Sequence, residues 1–177
     1  LKIIKSLRCQ EDNQKNILGK TEDLGYSDLM LERIEKYLEI LEEHVGEAIL
    51  FLDADVVFFE NFVDDLLEKM ATKDFLMQGT NSGSGCGGIM AINSNEQTLS
   101  FWREFVNECR DIRREDRAPG FPEVQINEKI NDWKSKNKMS WFSFLPPEYG
   151  YFSEGCKIYH AINGGHTLIE KKAVLQF

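Results

Sequence analysis

Two aspartates separated by a single residue are the first groups in this sequence whose spacing suggests chemistry. Asp53 and Asp55 directly follow an apolar run at positions 48–52. Carboxylates two positions apart in extended chain face the same side, and at about 4 Å and an effective dielectric of about 20 they repel by roughly 4 kcal/mol. A hard divalent cation, Mn²⁺ or Mg²⁺, offsets this repulsion and keeps coordination positions for phosphate oxygens. The pair therefore predicts a metal site for a phosphorylated ligand, with a turn cap and a solvated acid as the alternative.

The composition favours the same kind of site. The chain of 177 residues has a formal net charge of -9, and an acidic protein repels nucleic acid and anionic membranes in general. Binding of a polyphosphate would then need a cation between protein and ligand. We expect no nucleic-acid partner.

Length and hydrophobic content indicate one globular domain spanning residues 1–177. Hydrophobic residues make up 42% and charged residues 29%, which argues against a disordered chain. The first residues match no signal peptide, and the longest apolar run is too short to span a bilayer. We expect a cytoplasmic protein without a membrane span, although an excised lumenal domain also fits. The four cysteines form no C-x-x-C pair, and we expect buried, reduced thiols.

The elements around the aspartates alternate between helix and strand. Apolar residues at three- and four-residue steps predict a helix from Ser27 that ends near Gly46, and the apolar residues from Ala48 to Phe59 predict a strand covered on both faces. Further strands are expected at 1–5, 75–78, 88–93, 139–145 and 157–162, a loop at 81–88, and helices after Asn61, at a Ser94–Gln97 capping box and after Pro122. This alternation favours a mainly parallel sheet with helices on both faces, which binds ligands beyond the carboxyl ends of its strands.

The segment Leu-Phe-Leu-Asp-Ala-Asp-Val-Val-Phe-Phe at 50–59 resembles the D-x-D segment of nucleotide-diphospho-sugar transferases with the GT-A fold. A glycine-containing turn and strand at 85–93, a helix segment at 100–105 and a histidine–glycine element at 159–165 resemble later parts of that family in the same order. The resemblance covers about residues 27–165. It implies a Rossmann-like GT-A fold with a mainly parallel central sheet. The first strand of a full GT-A domain is not evident, which leaves open a missing N-terminal strand.

The resemblance also implies a reaction, a cofactor and two ligands. It implies a hexosyl- or pentosyltransferase that uses Mn²⁺ or Mg²⁺, a UDP- or GDP-sugar as donor, and a glycan, protein or small-molecule acceptor. Asp55 is expected to bind the metal directly, Asp53 to contact the ribose or, through water, the metal, and His160 to complete the metal site. A hydrogen-bonded surface histidine is the alternative for His160.

Further candidates surround this expected site. The predicted donor-binding residues are Lys36, Gly87, Gly88, Gln125, Gly164 and Gly165. Gln125 and Asn127 resemble a D-Q-x-x-N region of the family, although Val124 stands where the Asp would be. Glu123 is a candidate catalytic acid or base on the acceptor side, but an acid after Pro122 also complements a helix N-terminus.

Two other functions compete with sugar transfer. Apolar residues before D-x-D-x-V also begin haloacid-dehalogenase-like phosphatases, in which Asp53 would be the nucleophile and Asp55 the acid or base. Val56 replaces the usual glycine of that motif, however, and 52 residues precede it although it normally stands near the domain start. A non-catalytic sugar- or nucleotide-binding module is the second alternative.

Overall fold

A computed structural model describes residues 2–5, 24–80, 83–114, 123–150 and 156–160. Within them the chain forms four helices and eight strands. The helices are α1 (Leu24–Glu43), α2 (Val63–Met70), α3 (Glu96–Arg114) and α4 (Glu123–Ser135). The strands are β1 (Lys2–Lys5), β2 (Ala48–Leu52), β3 (Val56–Phe58), β4 (Phe75–Gly79), β5 (Gly85–Asn93), β6 (Phe142–Leu145), β7 (Tyr149–Gly150) and β8 (Ile158–His160). None of the helices in the described ranges has the length and apolar character needed to cross a membrane.

The main sheet has five strands in the order β1-β2-β5-β4-β6. β1 is parallel to β2 and β4 is parallel to β6, whereas β5 runs antiparallel to both of its neighbours. Strands β1, β2, β4 and β6 therefore point one way and β5 points the other. The predicted mainly parallel sheet is confirmed, with β5 as its one reversed strand among the described residues.

Side chains that alternate along the strands build a core on each face of this sheet. On β2, Ile49 and Phe51 face the cluster formed by α1, α3 and α4, whereas Leu50 and Leu52 face the cluster that contains α2, β7 and β8. Fully burying a side chain of this size contributes about 1.5–3 kcal/mol. The expected helices on both faces are confirmed, and they fix the direction in which β2 delivers the aspartates.

The apolar residues from Ala48 to Phe59 do not form one strand, so that prediction is wrong. β2 ends at Leu52, and β3 belongs to a second sheet with the order β3-β8-β7. β3 is antiparallel to β8, and Val56 pairs with His160. The side chain of Phe58 is 44% exposed, so β3 is not covered on both faces as β2 is. The chain turns between the two sheets, at the aspartates.

The predicted loop at 81–88 is also wrong at its end, because β5 begins at Gly85. The side chain of Asn127 on α4 stabilises this start. Its Oδ1 accepts a hydrogen bond from the Gly85 N–H at 2.6 Å, and its Nδ2 donates to the Gly85 carbonyl at 2.9 Å. β5 pairs with β4 up to this residue, Gly85 with Gly79, and Asn127 adds hydrogen bonds from α4 to the same residue.

The Ser94–Gln97 capping box is a third prediction that the structure corrects. Asn95 caps α3 instead, and its Oδ1 accepts hydrogen bonds from the N–H groups of Gln97 and Thr98, both at 3.0 Å. The hydroxyl of Ser94 donates to the carbonyl of Leu41 at 2.5 Å. Ser94 therefore joins α3 to the end of α1 rather than capping a helix.

Candidate metal centre

The two aspartates lie where the chain leaves the main sheet. Asp53 continues the pairing of β2, since its N–H donates to the Gly88 carbonyl of β5 at 2.9 Å. Ala54 and Asp55 form a turn that leads into β3. The side chains of Asp53 and Asp55 are 25% and 34% exposed. The turn therefore presents both carboxylates at the edge of the sheet, where a ligand can reach them.

His160 faces the two carboxylates from β8. Its Nε2 lies 3.2 Å from Asp55 Oδ1 and 3.5 Å from Asp53 Oδ2. One ligand atom from each of these three residues lies within 4.8 Å of the others. The imidazole is 6% exposed, so the expected alternative of a surface histidine is wrong. The pairing of β3 with β8 creates this arrangement from residues more than a hundred positions apart.

Gly88 makes room for the histidine ring. A Cβ on Gly88 would overlap the imidazole of His160, so a residue with a side chain could not occupy this position without displacing the ring. Gly88 therefore acts on the site by packing against a candidate metal ligand, on the same strand that pairs with Asp53.

The two carboxylates favour a protonated His160. Burial lowers the pKa of His160, but the hydrogen bonds to Asp53 and Asp55 outweigh it and raise this pKa to about 11. In the metal-free protein an imidazolium therefore faces the two carboxylates. A divalent cation would replace that proton as the positive charge between them.

A positively charged guanidinium group, from Arg33 on α1, also reaches the site. Arg33 forms an ion pair with Asp53 Oδ1 and also donates to the hydroxyl of Tyr37 at 2.5 Å. Asp53 keeps its other oxygen, Oδ2, toward His160. The arginine thus holds Asp53 in one orientation while leaving an oxygen on the side of the candidate metal.

The donor set fits a hard divalent cation. Two carboxylate oxygens and one imidazole nitrogen are ligands that Mn²⁺ accepts, and Mg²⁺ shares the preference for oxygen. Three protein ligands leave coordination positions for a ligand's oxygens. The arrangement can therefore hold a cation between the protein and a diphosphate.

The other predicted donor-binding residues have more varied positions. Lys36 lies on α1 one turn after Arg33, and its Nζ donates to Glu39 at 2.5 Å. Gly87 is half-buried, and among the described residues no atom lies within 4 Å of the place where its Cβ would stand. Gln125 has a buried Oε1 without a hydrogen-bond partner in the described part of the chain. These three predictions concern ligand contacts and stay predictions.

Three predicted residues lie partly or wholly outside the described residues. Glu123 is the first residue of α4, but its side chain lies outside the described residues. Gly164 and Gly165 also lie outside them.

Sequence reasoning missed two residues that contact the predicted site. Arg33 pairs with Asp53, and the buried Gln78 lies with its Oε1 2.9 Å from His160 Nδ1. The sequence could have indicated Arg33, because it lies next to Ile34 and four residues before Tyr37 and is therefore close to the buried side of α1. Gln78 had no signal beyond a polar residue at the end of an apolar strand.

Comparison with known proteins is consistent with this geometry. A family model described as nucleotide-diphospho-sugar transferase matches residues 5–117, which is more than half of the chain. No curated protein matches the chain by sequence.

Solved glycosyltransferases share the fold at low sequence identity. GlyE of Streptococcus pneumoniae TIGR4 superposes with a TM-score of 0.53 at 13% identity, over 73% of this chain and 36% of its own. A glycosyltransferase involved in glycosylation of the major capsid of PBCV-1 gives 0.52 at 12% identity, over 89% of this chain and 80% of its own. Mouse xyloside xylosyltransferase 1 gives 0.52 at 12% identity, over 85% and 68%. The chain therefore spans only about a third of the GlyE chain.

Proposed function

We propose, from the premise that this chain belongs to the nucleotide-diphospho-sugar transferase family, that it transfers a sugar from a nucleotide-diphosphate sugar to an acceptor with the help of a divalent cation. One observation carries the proposal. Ligand atoms of Asp53, Asp55 and His160 converge at the end of β2, at the edge of a sheet with both faces covered. This is the position at which open α/β sheets bind their ligands.

Each of the three residues has a distinct part in holding Mn²⁺ or Mg²⁺. Asp55 offers Oδ1, Asp53 offers the oxygen that Arg33 does not bind, and His160 offers Nε2. When bound, the cation would neutralise the donor diphosphate and stabilise the negative charge on the departing nucleotide. Catalysis by this chain would then consist mainly of positioning and of electrostatic stabilisation.

The surrounding residues complete the proposed donor site. The open space above Gly87 could accept part of the sugar or diphosphate, since no described side chain fills it. The Oε1 of Gln125 has no hydrogen-bond partner among the described residues, and it could accept a hydrogen bond from a ligand. We keep Lys36, Gly164 and Gly165 as donor-binding candidates and Glu123 as the candidate acid or base. The proposal treats residues 1–177 as one glycosyltransferase-type domain.

The donor and acceptor are the finer part of the proposal. One of the similar structures is a xylosyltransferase, so pentose donors belong in a test panel beside hexose donors. We propose a UDP- or GDP-sugar as donor and a carbohydrate or protein as acceptor.

The test is release of nucleotide from a panel of UDP- and GDP-sugars with and without Mn²⁺. Many transferases slowly hydrolyse their donor, so the acceptor need not be known. We expect Mn²⁺-dependent release from at least one donor and loss of release in Asp55→Ala. The control is Asp64→Ala, which removes an exposed acid from the first turn of α2. Equal donor affinity in Asp55→Ala and the unaltered protein, measured by calorimetry with Mn²⁺, would contradict the proposal.

The same preparation separates the two competing functions. A non-catalytic module would bind a donor with Mn²⁺ and release no nucleotide. A haloacid-dehalogenase-like phosphatase would hydrolyse p-nitrophenyl phosphate and lose this activity in Asp53→Asn. Family membership favours sugar transfer over both.

A further inference from the structure

A buried glutamine lies directly behind the candidate metal ligand His160. Gln78 on β4 has no solvent exposure and follows three buried apolar residues of the same strand. Burying an amide is unfavourable unless its polar atoms form hydrogen bonds. Its Oε1 lies 2.9 Å from Nδ1 of His160, whereas its Nε2 has no hydrogen-bond partner among the described residues. The bond to His160 is therefore the interaction that accounts for a buried amide at this position.

The backbone on both sides is shaped around this pair. Gly150 has a φ of +132°, and a Cβ there would overlap the side chain of Gln78. A Cβ on Gly88 would overlap the ring of His160. The pairing of β4 with β5 also shifts register between Met77 and Gln78, an irregularity of the kind that redirects a side chain. Two glycines and a register shift thus leave room for one hydrogen bond.

The hydrogen bond has a consequence for the opposite nitrogen of the ring. A neutral imidazole has one N–H and one lone pair, and an amide oxygen can only accept a hydrogen bond. If Gln78 Oε1 faces Nδ1, the proton belongs on Nδ1 and the lone pair on Nε2. Nε2 is the atom that faces Asp53 and Asp55. The thiol of Cys86, at 3.9 Å from the same Nδ1, is a much weaker partner.

We propose that Gln78 is a positioning residue that keeps the proton on Nδ1 of His160 and so directs the lone pair of Nε2 to the cation held with Asp53 and Asp55. The inference rests on the proposed function, because it assigns a purpose to Gln78 through the metal site. A histidine that binds a metal generally donates its other N–H to an acceptor, and loss of that acceptor weakens metal binding. Gln78 supplies such an acceptor from the opposite side of the ring.

The first test compares Mn²⁺ affinities by calorimetry in the absence of nucleotide. Gln78→Met removes the acceptor while keeping an unbranched side chain, and Gln78→Glu keeps an acceptor oxygen. We expect the affinity of Gln78→Met to fall by about 10- to 100-fold and Gln78→Glu to retain most of it. Met77→Leu is the control. Met77 is the preceding buried residue of β4, and its side chain belongs to the core cluster formed with α1, α3 and α4.

The second test observes His160 directly. A ¹⁵N–¹H correlation spectrum of the ring in the metal-free protein should show a protonated Nδ1 that exchanges slowly with water. The exchange should become fast in Gln78→Met and stay slow in Gln78→Glu and Met77→Leu. A general loss of packing would not follow this pattern, because it would also affect the Met77→Leu control.

Failure of the inference can be told apart from failure of the proposed function. If His160→Ala abolishes Mn²⁺ binding while Gln78→Met binds Mn²⁺ as the unaltered protein does, Gln78 has no positioning role and only this inference is overturned. If His160→Ala leaves Mn²⁺ affinity unchanged, the metal site itself is wrong and both are overturned. Equally slow exchange of the Nδ1 proton in Gln78→Met and in the unaltered protein overturns the inference whatever the metal affinities are.

Discussion

Two charged clusters involve the segment at 156–160, and they are built in different ways. The first, here the lysine cluster, consists of Asp65, Lys69, Tyr149 and Lys157. Asp65 on α2 accepts hydrogen bonds from Lys69 at 2.7 Å, from Lys157 at 2.8 Å and from the hydroxyl of Tyr149. One carboxylate thus accepts hydrogen bonds from two ammonium groups and a hydroxyl. The two ammonium groups more than neutralise the carboxylate, and the cluster holds α2 against the second sheet.

The second, here the aspartate cluster, consists of Arg33, Asp53, Asp55 and His160. Two carboxylates share an arginine and a histidine, and the contacts to the histidine are 3.2 and 3.5 Å. These are long for hydrogen bonds, whose N–O distances are typically about 2.7–3.2 Å. The contacts of His160 are therefore longer than those of the lysine cluster, whereas Arg33 pairs closely with Asp53.

The difference distinguishes a structural ion pair from a candidate ligand site. The lysine cluster places its charges at hydrogen-bonding distance, so a further cation would meet two ammonium groups. The aspartate cluster instead directs two oxygens and a nitrogen to one region. We infer that the first cluster contributes to stability and the second to binding, and each of the following predictions separates these two effects.

The largest effect is expected for Asp55→Ala. Removing a direct metal ligand should lower Mn²⁺-dependent nucleotide release by about 10³-fold, which corresponds to roughly 4 kcal/mol of transition-state stabilisation. The melting temperature should change little, since the lost contact with His160 is offset by the loss of the like-charge repulsion with Asp53. Release assays and thermal unfolding of the same preparation measure both quantities. Equal loss of release in Asp64→Ala would show that the effect is not specific to the site.

Asp65→Ala should have the opposite profile. It removes hydrogen bonds between charged groups, each worth about 1.5–3 kcal/mol, and we expect the free energy of unfolding to fall by about 2–3 kcal/mol. Mn²⁺ affinity should stay within the error of calorimetry. Urea denaturation gives the stability. A large loss of Mn²⁺ affinity in a folded Asp65→Ala protein would show that the two clusters are not separate in function.

Arg33→Ala should weaken turnover less than loss of a direct ligand. Without the arginine, Asp53 loses the partner that fixes its orientation, and we expect a decrease of about 10- to 100-fold in nucleotide release. The matched control is Arg103→Ala, because Arg103 also pairs with a carboxylate, Glu42, at 2.8 Å, but on an exposed surface. The account would be wrong about Arg33 if both variants had the same rate.

The smallest effect is a difference in pH dependence, of about 1 kcal/mol for partly exposed pairs. Hydrogen bonds from Lys157, Lys69 and Tyr149 lower the pKa of Asp65, so the stability from that cluster is present above the ordinary value of 3.8 and is lost as the pH falls. The pKa of His160 is raised from 6.5 to about 11, so its contribution in the metal-free protein is present below 6.5 and is lost as the pH rises through about 11.

Two variants compared by urea denaturation across pH would measure these opposite signs. The stability difference between Asp65→Asn and the unaltered protein should shrink in acid. The difference between His160→Gln and the unaltered protein, without metal, should shrink in alkali. Two differences that changed in the same direction would contradict the charge assignment of one cluster.

Sequence predicted the sheet and the three residues that the structure brings together in the candidate metal site, because their signals are local or shared with a family. The apolar run before Asp53 predicted β2, and the predicted GT-A fold is confirmed by the similar structures and the family match. The strand before His160 was predicted from its apolar residues. The role of His160 came only from the family resemblance, since nothing near it in sequence indicates two aspartates.

The errors and omissions came from contacts between distant segments. The end of β2 at Leu52 depends on the pairing of β3 with β8, which the apolar residues after Asp55 do not encode. Arg33 and Lys36 are both basic residues on α1, and only the rotation of this helix over the sheet decides that Arg33 contacts Asp53. Gln78 was missed because its importance depends entirely on where β8 places a ring.

The most direct test of the account is a crystal soaked with MnCl₂ and UDP, with anomalous diffraction data collected to locate manganese. We predict one strong anomalous peak that contacts Asp55, His160 and the Oδ2 of Asp53, with the UDP diphosphate on its open side. A map without manganese at this position, with the three side chains still hydrogen-bonded to one another, would contradict the account.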